Sequence, residues 1–355
     1  MFRSNFDWKL IIPTILLTVL GLLIIRSAAP TLINNQLLFV ITSIIIFVII
    51  SHVDFRIFTS LYIPIYLSSL FFLITPFIFG LHTRGAQRWL QFGQFTLQPS
   101  EIIKPLLLIV FSVLITSASR YRTIFLIISA VIPITIILFQ PDLGTSLVLL
   151  TGWLAIFLSK MKLKNVVSLL LLFAILIIPI YKFGLRTYQR QRIDSFINPY
   201  SDPLGQGYHV IQSIIAVGSG QLVGRGLGQG TQSQLQFLPE HHTDFIFASL
   251  SEELGFVGAL LVLVLFLTLI FRIYQISQKT TNAAASSFCL ATIALLSFQI
   301  FVNIGMNMGI APITGITLPF ISYGGSSLLS LGITLGLIHS ISLSQGVNDK
   351  YLQIS

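Results

Sequence analysis

Charge is what this chain has least of: Asp, Glu, Lys and Arg make up 9% of its 355 residues, where a soluble domain carries about 25%. A chain so poor in charge cannot have water as its only solvent. Cysteine is almost missing too. Cys289 stands alone, which excludes an intrachain disulfide and any cysteine-based metal site. A basic domain is also lacking. The formal charge of +9 is scattered over short segments, so it does not indicate nucleic-acid binding. In a membrane protein such charges report topology first.

What the chain has in quantity is hydrocarbon. Hydrophobic residues reach 54% and the mean hydropathy is +0.91. Apolar runs recur at 10–28, 35–51, 58–80, 100–117, 122–139, 143–159, 165–182, 245–271, 283–305 and 324–344. Most approach the roughly 17–25 residues that cross about 30 Å of hydrocarbon. The pattern predicts an all-α integral membrane protein with about ten transmembrane helices, and residues 1–355 read as one polytopic domain. The first run, Leu10 to Ile25, is followed by small residues as a signal peptide would be. Nearly everything downstream also spans, so it reads as a retained helix.

An even number of spans puts both termini on one side. Lys and Arg favour that side, most densely at Lys160, Lys162 and Lys164, which places the termini in the cytoplasm. Two segments on the outer side break the bias. One is 81–99, with Arg84 and Arg88; the other is the long polar loop 182–244. An anionic ligand would account for basic residues there.

The chemistry-bearing residues gather on the outer side. Asp244 closes the long loop in Leu238-Pro239-Glu240-His241-His242-Thr243-Asp244-Phe245-Ile246-Phe247, where water gives way to a membrane helix. It reads either as a helix N-cap or as a general base at the boundary where a lipid-linked substrate presents its polar head. His241 and His242 point apart and have no third ligand, so they do not spell a metal site. Glu252 and Glu253 follow within the helix. Charge there is costly enough that at least one should face the bundle interior or water. Glu101 and Lys104, at i and i+3, share a helix face and can pair, as a structural ion pair or as part of a site. Asp142, in Gln140-Pro141-Asp142-Leu143-Gly144-Thr145, reads first as the cap of the sixth helix. Arg186, Arg190 and Arg192 flank the start of the loop. They are candidate clamps for a pyrophosphate, with snorkelling arginines as the alternative. Glycines crowd 205–230 without a preceding strand, which excludes a dinucleotide fingerprint. They predict tight, re-entrant backbone lining a cavity.

Together these segments resemble the SEDS family (shape, elongation, division and sporulation) over nearly the whole chain. The resemblance is carried by Asp202-Pro203-Leu204-Gly205-Gln206-Gly207-Tyr208-His209, Gly230-Thr231-Gln232-Ser233-Gln234-Leu235, the Leu238–Phe247 stretch, Gln140–Thr145 and Leu318-Pro319-Phe320-Ile321-Ser322-Tyr323-Gly324-Gly325-Ser326-Ser327. The Gly-Thr-Gln-Ser-Gln run before Phe237-Leu238-Pro239-Glu240 is most similar to the elongation branch. Gln221 departs from a glycine found in many relatives.

The resemblance implies a peptidoglycan glycosyltransferase that polymerises lipid II into β-1,4-linked strands with inversion. It implies Asp244 at the essential aspartate position, Glu101 and Lys104 at a sensitive pair, and Asp142 at a further acidic position. Its implied partners are a class B penicillin-binding protein and the elongation machinery, in the bacterial plasma membrane. No cofactor is required by the sequence. A divalent cation, Mg or Mn, would suit the leaving pyrophosphate, though the loop offers few ligands. Alternatives are a lipid II flippase, a division- or sporulation-type polymerase, or a non-catalytic scaffold.

Overall fold

The apolar runs all fold as helices in the computed structural model. It describes every residue except 1–5, 84, 85, 94, 180, 182, 183, 185, 186, 202–204, 236, 239 and 353–355. In chain order come α1 (Trp8–Ala28), α2 (Ile33–Ser51), the short α3 (Phe55–Ser60), α4 (Tyr62–Phe79), α5 (Pro99–Thr116), α6 (Arg122–Phe139), α7 (Leu143–Ser159) and α8 (Leu163–Pro179). The long loop holds α9 (Thr187–Ile197), α10 (Gln206–Ser219) and α11 (Thr231–Gln234). After it come α12 (Ile246–Lys279), α13 (Ala283–Asn307) and α14 (Gly325–Leu352). Eight of the described helices are long and apolar enough to cross a membrane. α7 and α8 are apolar and 17 residues each, about 25 Å at 1.5 Å per residue.

α5, α13 and α14 form the centre, buried along about two-thirds or more of their apolar length, whereas α2 is almost wholly peripheral. α14 nevertheless lies tightly on α2, because Gly332 and Gly336 present no side chain on that face. A Cβ at Gly332 would sit 2.7 Å from the Ser43 carbonyl oxygen, and one at Gly336 would sit 2.9 Å from Ile50 Cβ. Small residues four apart let membrane helices approach this closely. Ser43 Oγ adds a bond to the Leu328 carbonyl at 2.7 Å.

Asp7, Arg272 and Ser342 meet at one end of the bundle. Asp7, just before α1, takes a forked bond from Arg272 of α12, with Nε at 2.9 Å and Nη2 at 2.7 Å from Oδ2. Ser342 of α14 donates to the same oxygen at 2.8 Å. The other end carries the long loop.

α12 is the least regular helix. At 34 residues it outlasts the 245–271 expected, and it breaks at Gly255, with φ 66° and ψ −164°. The break frees backbone groups that a membrane interior cannot leave unpaired, and the glycine-rich loop pairs them. Arg225 and Gly226 donate to the Glu252 and Glu253 carbonyls, both at 3.0 Å. Phe256 and Val257 donate to the Gln221 and Leu222 carbonyls at 2.8 and 3.1 Å. Gly224, at φ +86°, allows this docking, since its Cβ would fall 2.1 Å from the Glu253 oxygen.

Glu252 and Glu253 are both buried. The Glu252 carboxylate accepts from Gln232 N, Ser233 N and Ser233 Oγ at 2.9–3.2 Å, holding α11 in place. Glu253 accepts from Ser27 Oγ at 2.6 Å. These glutamates therefore organise the loop.

One element departs from the all-helical expectation. Between α4 and α5 the chain forms a three-stranded antiparallel sheet of β1 (Leu81–Thr83), β2 (Ala86–Phe92) and β3 (Phe95–Leu97), with Leu81 opposite Trp89 and Leu90 opposite Leu97. It is small, and the fold remains that of a helical membrane protein. It matters because β2 carries Arg88 and Trp89 over the loop end of the bundle.

Candidate active site

At that end lies a cavity of about 730 Å³, within the roughly 300–1,000 Å³ typical of ligand sites. Its walls come from segments far apart in sequence. β2 gives Arg88 and Trp89, the start of α5 gives Gln98 and Glu101, and the α6–α7 turn gives Pro141 to Thr145. α9 gives Arg192, the turn before α12 gives Glu240, Thr243 and Asp244, and the α13–α14 connection gives Thr314 to Thr317 and Tyr323. Asp244, Glu101 and Asp142 thus border one space, and Lys104 is bonded to Glu101 beside it.

Asp244 is held through its backbone. Its carbonyl accepts from Asn303 Nδ2 at 3.0 Å and Asn307 Nδ2 at 3.1 Å. The preceding carbonyls are anchored from the α13–α14 connection: Ser322 Oγ donates to Thr243 O at 2.7 Å, and Tyr323 N donates to His242 O at 2.9 Å. The position before the first residue of α12 is Phe245, and the Ala248 N–H donates to Asn307 Oδ1 at 3.1 Å. The Asp244 carboxylate borders the cavity, against Gly315, where a Cβ would stand 3.6 Å from Oδ2.

A second group of charges borders the same cavity. Lys104, buried at 3% exposure, donates to Glu101 Oε2 at 2.7 Å, and Thr145 Oγ1 donates to Glu101 Oε1 at 3.4 Å. Removing one partner of a pair buried like this costs about 3–5 kcal/mol. Asp142 does cap α7, accepting Thr145 N at 3.1 Å, so its structural reading holds. It also accepts from Gln98 Nε2 and meets Arg88 Nη1 at 3.5 Å. Arg88 Nε, also buried, has no acceptor among the described residues.

Of the three arginines expected to clamp an anion, Arg192 lines the cavity. Arg190 is half-buried on the same helix and is not among the lining residues. Arg186, like Lys182 and the Asp202-Pro203-Leu204 segment, lies outside the described residues. Part of the glycine-rich run packs on the break in α12, because the freed backbone groups there need partners. Sequence reasoning passed over Glu240, held at φ +54°, and Asn303 and Asn307. It noted Arg88 only as an outlier in the charge bias. Among the described residues no group of three His, Cys, Asp or Glu side chains could hold a metal ion. Glu101 and Asp142 are matched by Lys104 and Arg88.

The arrangement offers a carboxylate held through its backbone and two arginines bordering one polar space. Comparison with known proteins bears on its meaning. Residues 5–346 match the family model FTSW_RODA_SPOVE, described as "Cell cycle protein". The chain belongs to this family. Among curated relatives, peptidoglycan glycosyltransferase MrdB of Escherichia coli K12 is 39% identical over 95% of both chains. Stage V sporulation protein E of Bacillus subtilis 168 is 35% identical over 96% of this chain and 98% of that one. Two solved structures share the FTSW_RODA_SPOVE fold end to end. One, from work on structural coordination of polymerization and crosslinking by a peptidoglycan synthase complex, has TM-score 0.83 and 29% identity, covering 97% of this chain and 99% of the other. The rod shape determining protein RodA of Thermus thermophilus has TM-score 0.72 and 25% identity, covering 96% and 98%.

Proposed function

We infer that the chain is an elongation-type peptidoglycan glycosyltransferase that polymerises lipid II in the bacterial plasma membrane. The observation that carries this is the Asp244 carboxylate, pinned by its backbone at the edge of a polar cavity at one end of a membrane bundle. The glycosyltransferase relative at 39% identity supports the same reaction. Asp244 takes the proton from the 4-hydroxyl of the acceptor GlcNAc. That oxygen forms a bond to the anomeric carbon of the donor MurNAc as the bond to pyrophosphate breaks. Lipid pyrophosphate leaves from the opposite face, so the configuration inverts. General-base catalysis of this kind contributes about 10²–10⁴-fold.

Charge on the leaving group needs positive partners aimed at it. Arg192 and Arg88 border the cavity and serve as the pyrophosphate donors, with Arg190 and Arg186 near Arg192 in sequence. Glu101, held by Lys104, and Asp142 shape the cavity wall, and Asp142 aims Arg88. The Lys160–Lys164 cluster supports cytoplasmic termini and with them a cavity that opens outside, where lipid II is presented.

A flippase would need charged sites through the midplane. Beneath Lys104 lies a void of about 10 Å³, room for about one water, which favours polymerisation at one face. Because a solved relative comes from a synthase complex coordinating polymerization and crosslinking, a class B penicillin-binding protein is the partner to supply. Purified protein given lipid II, with and without that partner, is expected to make glycan strands. No product in either condition, with lipid II instead moving across liposomes, would establish transport. Depletion in the host should give rounded cells; filaments would indicate division.

A further inference from the structure

Asn303 and Asn307 lie one turn apart on α13, both fully buried. A buried amide must find partners for its donors and its acceptor. Both use a donor on one atom, the Asp244 carbonyl oxygen, at 3.0 and 3.1 Å. Their remaining bonds fix which way each amide faces. Asn307 Oδ1 accepts from Ala248 N at 3.1 Å and Ser213 Oγ at 3.3 Å. Since a backbone N–H can only donate, the Asn307 NH₂ must be the group turned toward Asp244. That NH₂ also reaches the Asn303 carbonyl at 2.7 Å. The other Asn303 donor bond goes to Ile316 O at 2.7 Å. Ile316 adjoins Gly315, the residue against Asp244 Oδ2. One amide therefore ties the backbone of Asp244 to the α13–α14 connection that borders the same cavity.

Capping alone does not call for this. α12 needs an acceptor for its first N–H groups, and Asn307 Oδ1 is one. The two donors on the Asp244 carbonyl serve a peptide that lies before the helix. Turning that peptide, and the carboxylate with it, would break both bonds at once.

We propose that Asn303 and Asn307 are positioning residues that hold the Asp244 carboxylate in line with the acceptor hydroxyl. This rests on Asp244 being the general base. A misplacement of about 1 Å at a reacting group costs on the order of 10²-fold in rate.

Asn307→Asp separates aiming from capping. It keeps the acceptor for Ala248 N and adds negative charge at a helix N-terminus, where it is favourable, but it cannot donate to the Asp244 carbonyl. In purified protein polymerising lipid II, kcat should fall roughly 10–100-fold. KM should stay within about twofold and the unfolding temperature within a few degrees, the split expected when an interaction acts in the transition state. Asn303→Ala should give the same split, and it carries the test if Asn307→Asp does not fold. Near wild-type kcat in a folded variant overturns the proposal. So does a loss of kcat that travels with KM and unfolding temperature, which marks a merely structural role. If Asp244→Asn is itself fully active, the base assignment fails; if it is inactive while both asparagine variants are fast, only the positioning role fails.

Discussion

Arg88 faces the cavity with one nitrogen on Asp142 at 3.5 Å and a buried Nε that no described residue accepts from. An arginine held by its own carboxylate, with donor capacity left over, is arranged to meet an anion in two places at once. Arg88→Ala should therefore lower kcat/KM for lipid II by roughly 10–100-fold, the worth of about 1.5–3 kcal/mol for a hydrogen bond to a charged group. Arg88→Lys should recover little, since an ammonium lacks the planar fork; full recovery would show that charge alone matters.

Asp244, Glu101 and Asp142 were legible as site candidates because charge at a membrane boundary is costly and stands out. The arginines were less so. With 182–244 read as an irregular loop, Arg190 and Arg192 looked equivalent. On α9 they are two apart, and residues at i and i+2 do not share a helix face. Asn303 and Asn307 gave no signal, since an uncharged amide in an apolar run carries no visible cost until its partners are known.

Among the elements, the α2–α14 contact depends most plainly on single residues. Gly336→Leu would drive a side chain into Ile50 and the Phe47 carbonyl. Overpacking of this kind costs about 1–3 kcal/mol, so the thermal midpoint in detergent should fall; an unchanged midpoint would mean that α2 moves freely. The spanning helices could be read from hydropathy because their period and length are imposed by the bilayer itself. The sheet could not: β1 and β3 are three residues each, too short for an alternating pattern to emerge. The break at Gly255 was hidden too. It sits inside an apolar run, and the backbone bonds that sustain it come from Gln221 and Leu222, more than thirty residues earlier.

For the whole molecule, the end opposite the cavity is closed by Asp7, Arg272 and Ser342, which join the N-terminus, α12 and α14. Burial pushes the Asp7 carboxyl up, but bonds from Arg272 and Ser342 outweigh it and hold the group below its ordinary 3.8. A carboxyl depressed in the folded state adds stability above its unfolded value and loses it as pH falls through the folded one. The protein should thus unfold at a lower temperature below about pH 4 than at pH 7. In Asp7→Asn that difference should shrink; an identical pH dependence would remove Asp7 as its source. This clamp and the cavity lie at opposite ends, so the loss of stability should not depend on substrate.

The measurement that bears most directly on the function is polymerisation of lipid II by purified Asp244→Asn, beside its unfolding temperature. The expected result is a rate lower by about 10²–10⁴-fold in a protein that unfolds where the wild type does. Polymerisation near the wild-type rate would contradict Asp244 as the base.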